Sequence, residues 1–151
     1  MSKYLIFLAT LLISGATWSN ELSLSCDIKS TYNASNGDVI KSSGKAIIEV
    51  TDDKNFRVIT ISSDVEDANS VTVATRLPSN MRGDISDFTT KSKWDIQNVI
   101  ERDEGKMTNR VIIDRVTGML VVNVEAQIKG RVSRVNIGGN CKKMDTNNRK
   151  F

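Results

Sequence analysis

Apolar and polar residues alternate along most of this chain, and this alternation constrains the fold more than any other feature of the sequence. The pattern begins at residues 22–29, which read LSLSCDIK. A period of two residues is typical of a β-strand with one buried face, and it indicates that Cys26 points inward. Helical periodicity is almost absent. The sequence therefore predicts an all-β protein.

Seven later segments alternate in the same way or are rich in β-branched residues, and turn-forming clusters separate them. They are residues 44–50, 56–62, 69–77, 94–101, 107–115, 119–127 and 131–137. Residues 79–92 are less regular and predict a loop or a short helix around Ile85 and Phe88. A slip in the alternation between Val132 and Val135 predicts a bulge. About eight strands at hairpin spacing predict a single antiparallel barrel or a sandwich.

The N-terminal residues have the three parts of a signal peptide. Lys3 supplies a positive charge, the ten residues 4–13 form an apolar run, and mostly small residues follow. Ten residues make about 15 Å of helix, which is too short to cross a hydrocarbon core of about 30 Å and disfavours a membrane anchor. We therefore expect residues 1–19 to be cleaved, after Ser19 or alternatively after Ala16.

The remaining residues 20–151 are enough for a single β domain with its own core. They contain two cysteines, Cys26 near the start and Cys141 near the end. In the periplasm or outside the cell, where export would take the chain, such a pair predicts a structural disulfide. The bridge would close nearly the whole domain into one loop and tie the first strand to the last, which favours the barrel.

The chain contains no histidine. This excludes Ser-His-Asp and Cys-His catalysis, and two bridged cysteines leave neither a thiol nucleophile nor an ordinary zinc or copper site. The sequence also lacks the glycine-rich nucleotide motifs and the calcium loop. We therefore expect no cofactor, no metal and no catalytic residue, in a protein that is not an enzyme.

The charges of the chain nearly balance, with 21 Lys and Arg against 18 Asp and Glu. We interpret the basic residues of the tail 141–151 as a solvated terminus. Aromatic residues make up only 5% of the sequence, whereas proteins that bind single-stranded nucleic acids use several exposed rings. We expect neither a nucleic-acid partner nor a membrane span.

The apolar faces of two predicted strands supply residues that line a ligand cavity or fill the core. Trp94 is the largest of them, and its alternation with Ile96 and Ile100 favours the core. The segment 119–127 presents a second face of this kind. The candidate ligand or core residues are Trp94, Ile96, Ile100, Leu120, Val122 and Val124.

Four short elements in the second half of the chain are distinctive. They are 94–96 (WDI), 113–118 (IDRVTG), 139–141 (GNC) and 149–151 (RKF). With them the chain resembles a set of small, mostly uncharacterised secreted or periplasmic proteins of proteobacteria. The resemblance implies export, a bacterial origin and paired cysteines. The D-R-x-T-G element itself predicts a hairpin in which Gly118 has positive φ and Arg115 pairs with Asp114 or a cross-strand acid.

Three functions are compatible with these observations. We favour a non-enzymatic envelope protein that binds a small apolar ligand or an envelope partner, because a barrel of lipocalin-like size can hold one. An inhibitor of an envelope hydrolase such as lysozyme is the alternative, although basic lysozymes require an acidic surface. The third is a small carboxylate-dependent hydrolase. The acids available for it are Asp95, Glu101, Asp103, Glu104, Asp114 and Glu125.

Overall fold

The structure, a computed structural model, describes residues 20–53, 55–66 and 69–144. The expected signal peptide lies outside these residues. Strands account for 74% of the described residues, and no α-helix occurs among them. The strands are β1 (Asn20–Asn33), β2 (Val39–Asp53), β3 (Phe56–Ser63), β4 (Ser70–Ala74), β5 (Arg82–Asp87), β6 (Lys93–Arg102), β7 (Gly105–Asp114), β8 (Met119–Ile128) and β9 (Arg131–Lys143). The described part of the chain has no helix long and apolar enough to cross a membrane.

All nine strands belong to one antiparallel sheet with the order β4-β3-β2-β1-β9-β8-β7-β6-β5, which curls into a nearly closed barrel. The predicted all-β class and the barrel are thus confirmed. Because nine strands alternate in direction along this order, the two edge strands β4 and β5 run in the same direction. They cannot close the barrel as an antiparallel pair, and the crossover segment 75–81 connects them. β4 and β5 do not pair with each other in parallel either, so a seam remains between β4 and the strands β5 and β6.

The first and last strands pair with each other, and a disulfide joins them as predicted. Cys26 of β1 and Cys141 of β9 are register partners with Cα atoms 4.0 Å apart, and their sulfur atoms are 2.04 Å apart. Both cysteines of the chain are used in this bridge. A disulfide of this kind fits an oxidising compartment.

Two details of the predicted strand pattern are wrong. β5 (Arg82–Asp87) lies within the stretch predicted as a loop or short helix. Its one apolar residue, Ile85, gives no periodicity, and its side chains are nearly all exposed, so pairing with β6 makes it a strand. The expected bulge between Val132 and Val135 is absent, because the β8–β9 pairing is continuous and Ser133 takes the inward position next to Val135.

The inner face of the sheet carries the core, and its β6–β8 part is arranged in rows of register partners. One row consists of Trp94, Ile113 and Leu120, and the next of Ile96, Val111 and Val122; all six are buried. Each fully buried Leu, Ile or Val side chain contributes about 1.5–3 kcal/mol. Residues of β1–β4 cover these rows from the other side of the barrel. The largest fully buried side chains among them are Ile48, Val50, Ile59, Ile61 and Val73.

Candidate functional site

The edge of β4 meets the inner face of β6 instead of a neighbouring strand. Asn98 lies on that inner face, two residues after Ile96, and is only 2% exposed. Its Nδ2 donates to the carbonyl oxygen of Ala74, and its Oδ1 accepts from the Ala74 N–H, both at 2.8 Å. The Asn98 amide therefore replaces a neighbouring strand for one residue of the β4 edge.

A second set of polar contacts crosses the seam. Arg57 of β3 forms ion pairs with Asp52 of β2 and Asp87 of β5, each at 3.0 Å. Asp52 also accepts a hydrogen bond from Nε1 of Trp94 at 3.3 Å. These contacts connect β2 and β3 to β5 and β6 where the strands themselves do not pair.

Beside these contacts, a cleft of about 460 Å³ opens along the seam. One wall is the inner face of β6–β8, where Asn98, Asn109 and Val124 form the row that follows the two buried ones. The opposite wall comes from β3, β4 and the crossover segment. Its apolar lining residues are Phe56, Val58, Val71, Ala74, Leu77, Pro78 and Met81. The volume lies in the range of small-molecule sites, roughly 300–1,000 Å³.

Asn109 is a buried polar residue that lines this cleft and carries an unsatisfied hydrogen-bonding atom. The residue is 7% exposed, and its Oδ1, which itself has almost no accessible surface, has no hydrogen-bond partner. The one other such atom among the described residues is Oγ of Ser30, which does not line the cleft. A buried acceptor without a partner costs about 1–3 kcal/mol, so a ligand that donates to Oδ1 would recover this free energy.

The six apolar candidates from the sequence fall into two groups. Trp94, Ile96, Leu120 and Val122 belong to the buried rows and do not line the cleft, whereas Ile100 and Val124 line it. Sequence reasoning missed the rest of the lining, because no local pattern connects β3, β4 and the crossover segment to β6–β8. One signal in the sequence could have indicated the cleft. Asn98 and Asn109 are polar residues at positions where the alternation of their strands predicts an inward-facing apolar residue.

The D-R-x-T-G element forms the expected β7–β8 hairpin, with a φ of 76° at Gly118. Oδ1 of Asp114 accepts from the N–H groups of Thr117 and Val116, each at 2.8 Å, and these hydrogen bonds lower the pKa of Asp114. The expected pairing of Arg115 with an acid is wrong for the described residues. Its guanidinium instead lies 4.6 Å from the centroid of the Trp94 ring. The hairpin thus covers an end of the core.

Asp95 is the most buried of the acids considered for hydrolysis, with its side chain 1% exposed. Arg110 binds both of its oxygens, at 2.9 and 3.0 Å, and Lys93 lies 3.0 Å from one of them. The Arg110 hydrogen bonds hold the pKa of Asp95 below its ordinary value. The general acid of a glycosidase needs a raised pKa, whereas the pKa values of Asp95 and Asp114 are both lowered. Neither residue therefore suits that role.

The other acids lie apart from the cleft. Glu104 and Glu125 form ion pairs with Lys129 and Arg134, at 3.0 and 2.7 Å. Glu101 and Asp103 are exposed near the β6–β7 hairpin. Within the described ranges, no group of three or more Cys, Asp or Glu residues could hold a metal ion.

Two larger depressions of the surface lack an unsatisfied group. One of about 930 Å³ lies over β1, β2, β8 and β9, and one of about 750 Å³ lies beside the β6–β7 hairpin. Neither is lined by Asn109 or Ser30. The seam cleft is therefore the best candidate for a functional site. No protein-family model matches the sequence, and neither a curated protein nor a solved structure matches it.

Proposed function

We propose that this protein is a non-enzymatic, exported binding protein that holds a small, mostly apolar molecule in the seam cleft. The observation that carries the proposal is the buried, unpartnered Oδ1 of Asn109, a residue that lines an otherwise mainly apolar cleft. A ligand with an apolar body and one hydroxyl or N–H group matches both the apolar lining and the unpartnered acceptor of Asn109.

The energetics favour such a ligand over a fully polar one. Apolar ligand surface that leaves water contributes about 25 cal/mol per Å². A donor aimed at Oδ1 of Asn109 adds about 1–3 kcal/mol, because it removes the cost of the unsatisfied acceptor. Asn98 cannot serve this purpose in the same way, since both polar atoms of its amide already bind Ala74.

The Cys26–Cys141 bridge supports a place outside the cytoplasm, because disulfides persist in oxidising compartments. The expected signal peptide and the resemblance to secreted proteobacterial proteins point the same way. We therefore propose that the protein binds its ligand in the periplasm or the medium of a bacterium.

A matched pair of neutral probes tests this function. We expect naphthol, which can donate a hydrogen bond, to bind the purified, oxidised protein about fivefold or more tightly than its methyl ether, which cannot. Asn109→Ala should remove this preference but keep binding of the ether. Asn123→Ala, on the exposed face of β8, is the control and should behave like the unchanged protein.

Calorimetric titration of both probes into the three proteins gives the affinities. Failure of both probes to bind, together with the absence of a co-purified ligand in native mass spectrometry, would contradict the proposal. The proposal would also be contradicted if the Asn109→Ala variant preferred naphthol over its methyl ether as strongly as the unchanged protein does.

A further inference from the structure

The seam cleft has a distinctive charge. Arg76, in the crossover segment, is the only charged residue among the described residues that line it; the others are apolar or neutral polar. The cleft therefore carries one formal positive charge and no carboxylate. A site of this composition attracts anions and disfavours cations.

Arg76 is also free to bind a ligand. The described part of the chain contains ion pairs for Arg57, Arg110 and Arg134, but none for Arg76. Arg76 is exposed, so its guanidinium keeps its hydration while its stem can lie along the apolar wall. A guanidinium binds carboxylate, phosphate and sulfate groups through paired hydrogen bonds.

Three apolar residues of the cleft also belong to a neighbouring depression, whose lining otherwise includes the charged residues Glu101, Arg102, Asp103, Glu104 and Lys106. Met81, Ile100 and Met107 line both the cleft and the depression beside the β6–β7 hairpin. A ligand whose apolar part is a chain can follow these residues from one hollow into the other. Asn109 lies in the buried row of the cleft, whereas Arg76 lies at its exposed side.

From these observations we infer that the ligand is an amphiphile, with an anionic head group bound by Arg76 and an apolar chain held along Ile100 and Met107. This inference rests on the proposed function and adds an anionic head group to the ligand of the same cleft, beside the donor group that binds Asn109. The head group is a carboxylate, a phosphate or a sulfate, since all three match a guanidinium.

The test uses decyl compounds that share one chain and differ in head group. Decanoate, decyl phosphate, decyl sulfate, decanol and decyltrimethylammonium are titrated calorimetrically, below their micelle concentrations, into the oxidised protein. We expect at least one anion to bind about fivefold or more tightly than decanol, and the cation to bind most weakly. The ranking of the three anions identifies the head group. Added salt should weaken binding of the anions and leave decanol unchanged.

Substitutions of Arg76 locate the effect. Arg76→Gln should bring the anions to the affinity of decanol, and Arg76→Lys should retain part of the preference. Arg82→Gln is the control, because Arg82 is an exposed residue of β5 that does not line the cleft. Loss of the preference in Arg82→Gln as well as in Arg76→Gln would overturn the inference.

The outcomes separate this inference from the function on which it rests. If decanol and the anions bind with equal affinity, the anionic head group is wrong while the apolar site stands. If none of the compounds binds, including decanol, the binding function itself is wrong and the inference fails with it.

Discussion

Two asparagines in one row have opposite roles. Asn98 and Asn109 are register partners on β6 and β7, and both are buried. Asn98 forms two hydrogen bonds with the edge of β4, while Oδ1 of Asn109 has none. Asn98 therefore stabilises the fold, whereas Asn109 holds an acceptor at some cost to stability. Under the proposed function, a ligand that donates to this acceptor offsets the cost.

Alanine at these two positions should have different effects on stability. Asn98→Ala leaves the N–H and C=O groups of Ala74 without their partners, and we expect the free energy of unfolding to fall by about 2 kcal/mol or more. Asn109→Ala removes an acceptor that has no partner, and we expect a change of less than about 0.5 kcal/mol or a gain. Urea denaturation of both variants measures the difference. Equal losses would show that the Asn98 amide does not close the seam.

The buried carboxylate of Asp95 gives the protein a pH dependence. Because Arg110 lowers its pKa in the folded state, Asp95 contributes stability above its unfolded pKa of about 3.9. This contribution is lost as pH falls below about 4 and the carboxylate becomes protonated. Asp114, whose pKa is also lowered, acts in the same direction.

We expect Asp95→Asn to be less stable than the unchanged protein at pH 7 and to lose less stability between pH 5 and about 2. Glu125→Gln removes an exposed ion pair and should change stability by at most about 1 kcal/mol, with a nearly unaltered pH profile. Urea denaturation across this pH range measures both variants. Parallel pH profiles for Asp95→Asn and the unchanged protein would exclude a role of Asp95 in acid sensitivity.

At the level of the strands, alternation identifies those that have a buried face. β8 is an example, because Leu120, Val122 and Val124 occupy its inward positions. β5 is missed because its single apolar residue, Ile85, carries no pattern, and its strand conformation depends on pairing with β6. The cleft is missed for a related reason, since its walls come from strands that no local signal brings together. Asn98 and Asn109 mark it only in retrospect, as polar residues in apolar rows.

The pairing of β1 with β9 joins the ends of the domain, and the disulfide constrains it further. The bridge connects residues separated by 115 positions in sequence. In the chain-entropy model a loop of this length is worth about 4–5 kcal/mol, and measured values are often lower. We expect replacement of both Cys26 and Cys141 by alanine to lower the free energy of unfolding by about 3–4 kcal/mol. Urea denaturation of this variant, compared with the oxidised and the reduced protein, measures it. A loss below about 1 kcal/mol would show that β1–β9 pairing alone closes the chain.

At the scale of the whole molecule, the sheet topology determines where the cleft lies. The edge strands β4 and β5 run in the same direction and do not pair with each other, so the barrel stays open at one seam. The rows containing Trp94 and Ile96 fill the interior elsewhere. The Asn98 amide and the Arg57 ion pairs close the seam in part, and the cleft lined by Asn109 is what remains. The cleft that we propose as a binding site is thus a consequence of incomplete closure.

An NMR titration of the isotopically labelled, oxidised protein with naphthol tests the proposed binding site most directly. We expect the largest shifts at the side-chain amide of Asn109 and at Met107 and Val124, which line the cleft. Resonances of Met119 and Val121, on the outer face of β8, should stay unchanged. Shifts concentrated on that outer face, or no shifts at saturating naphthol, would contradict a ligand site at the seam.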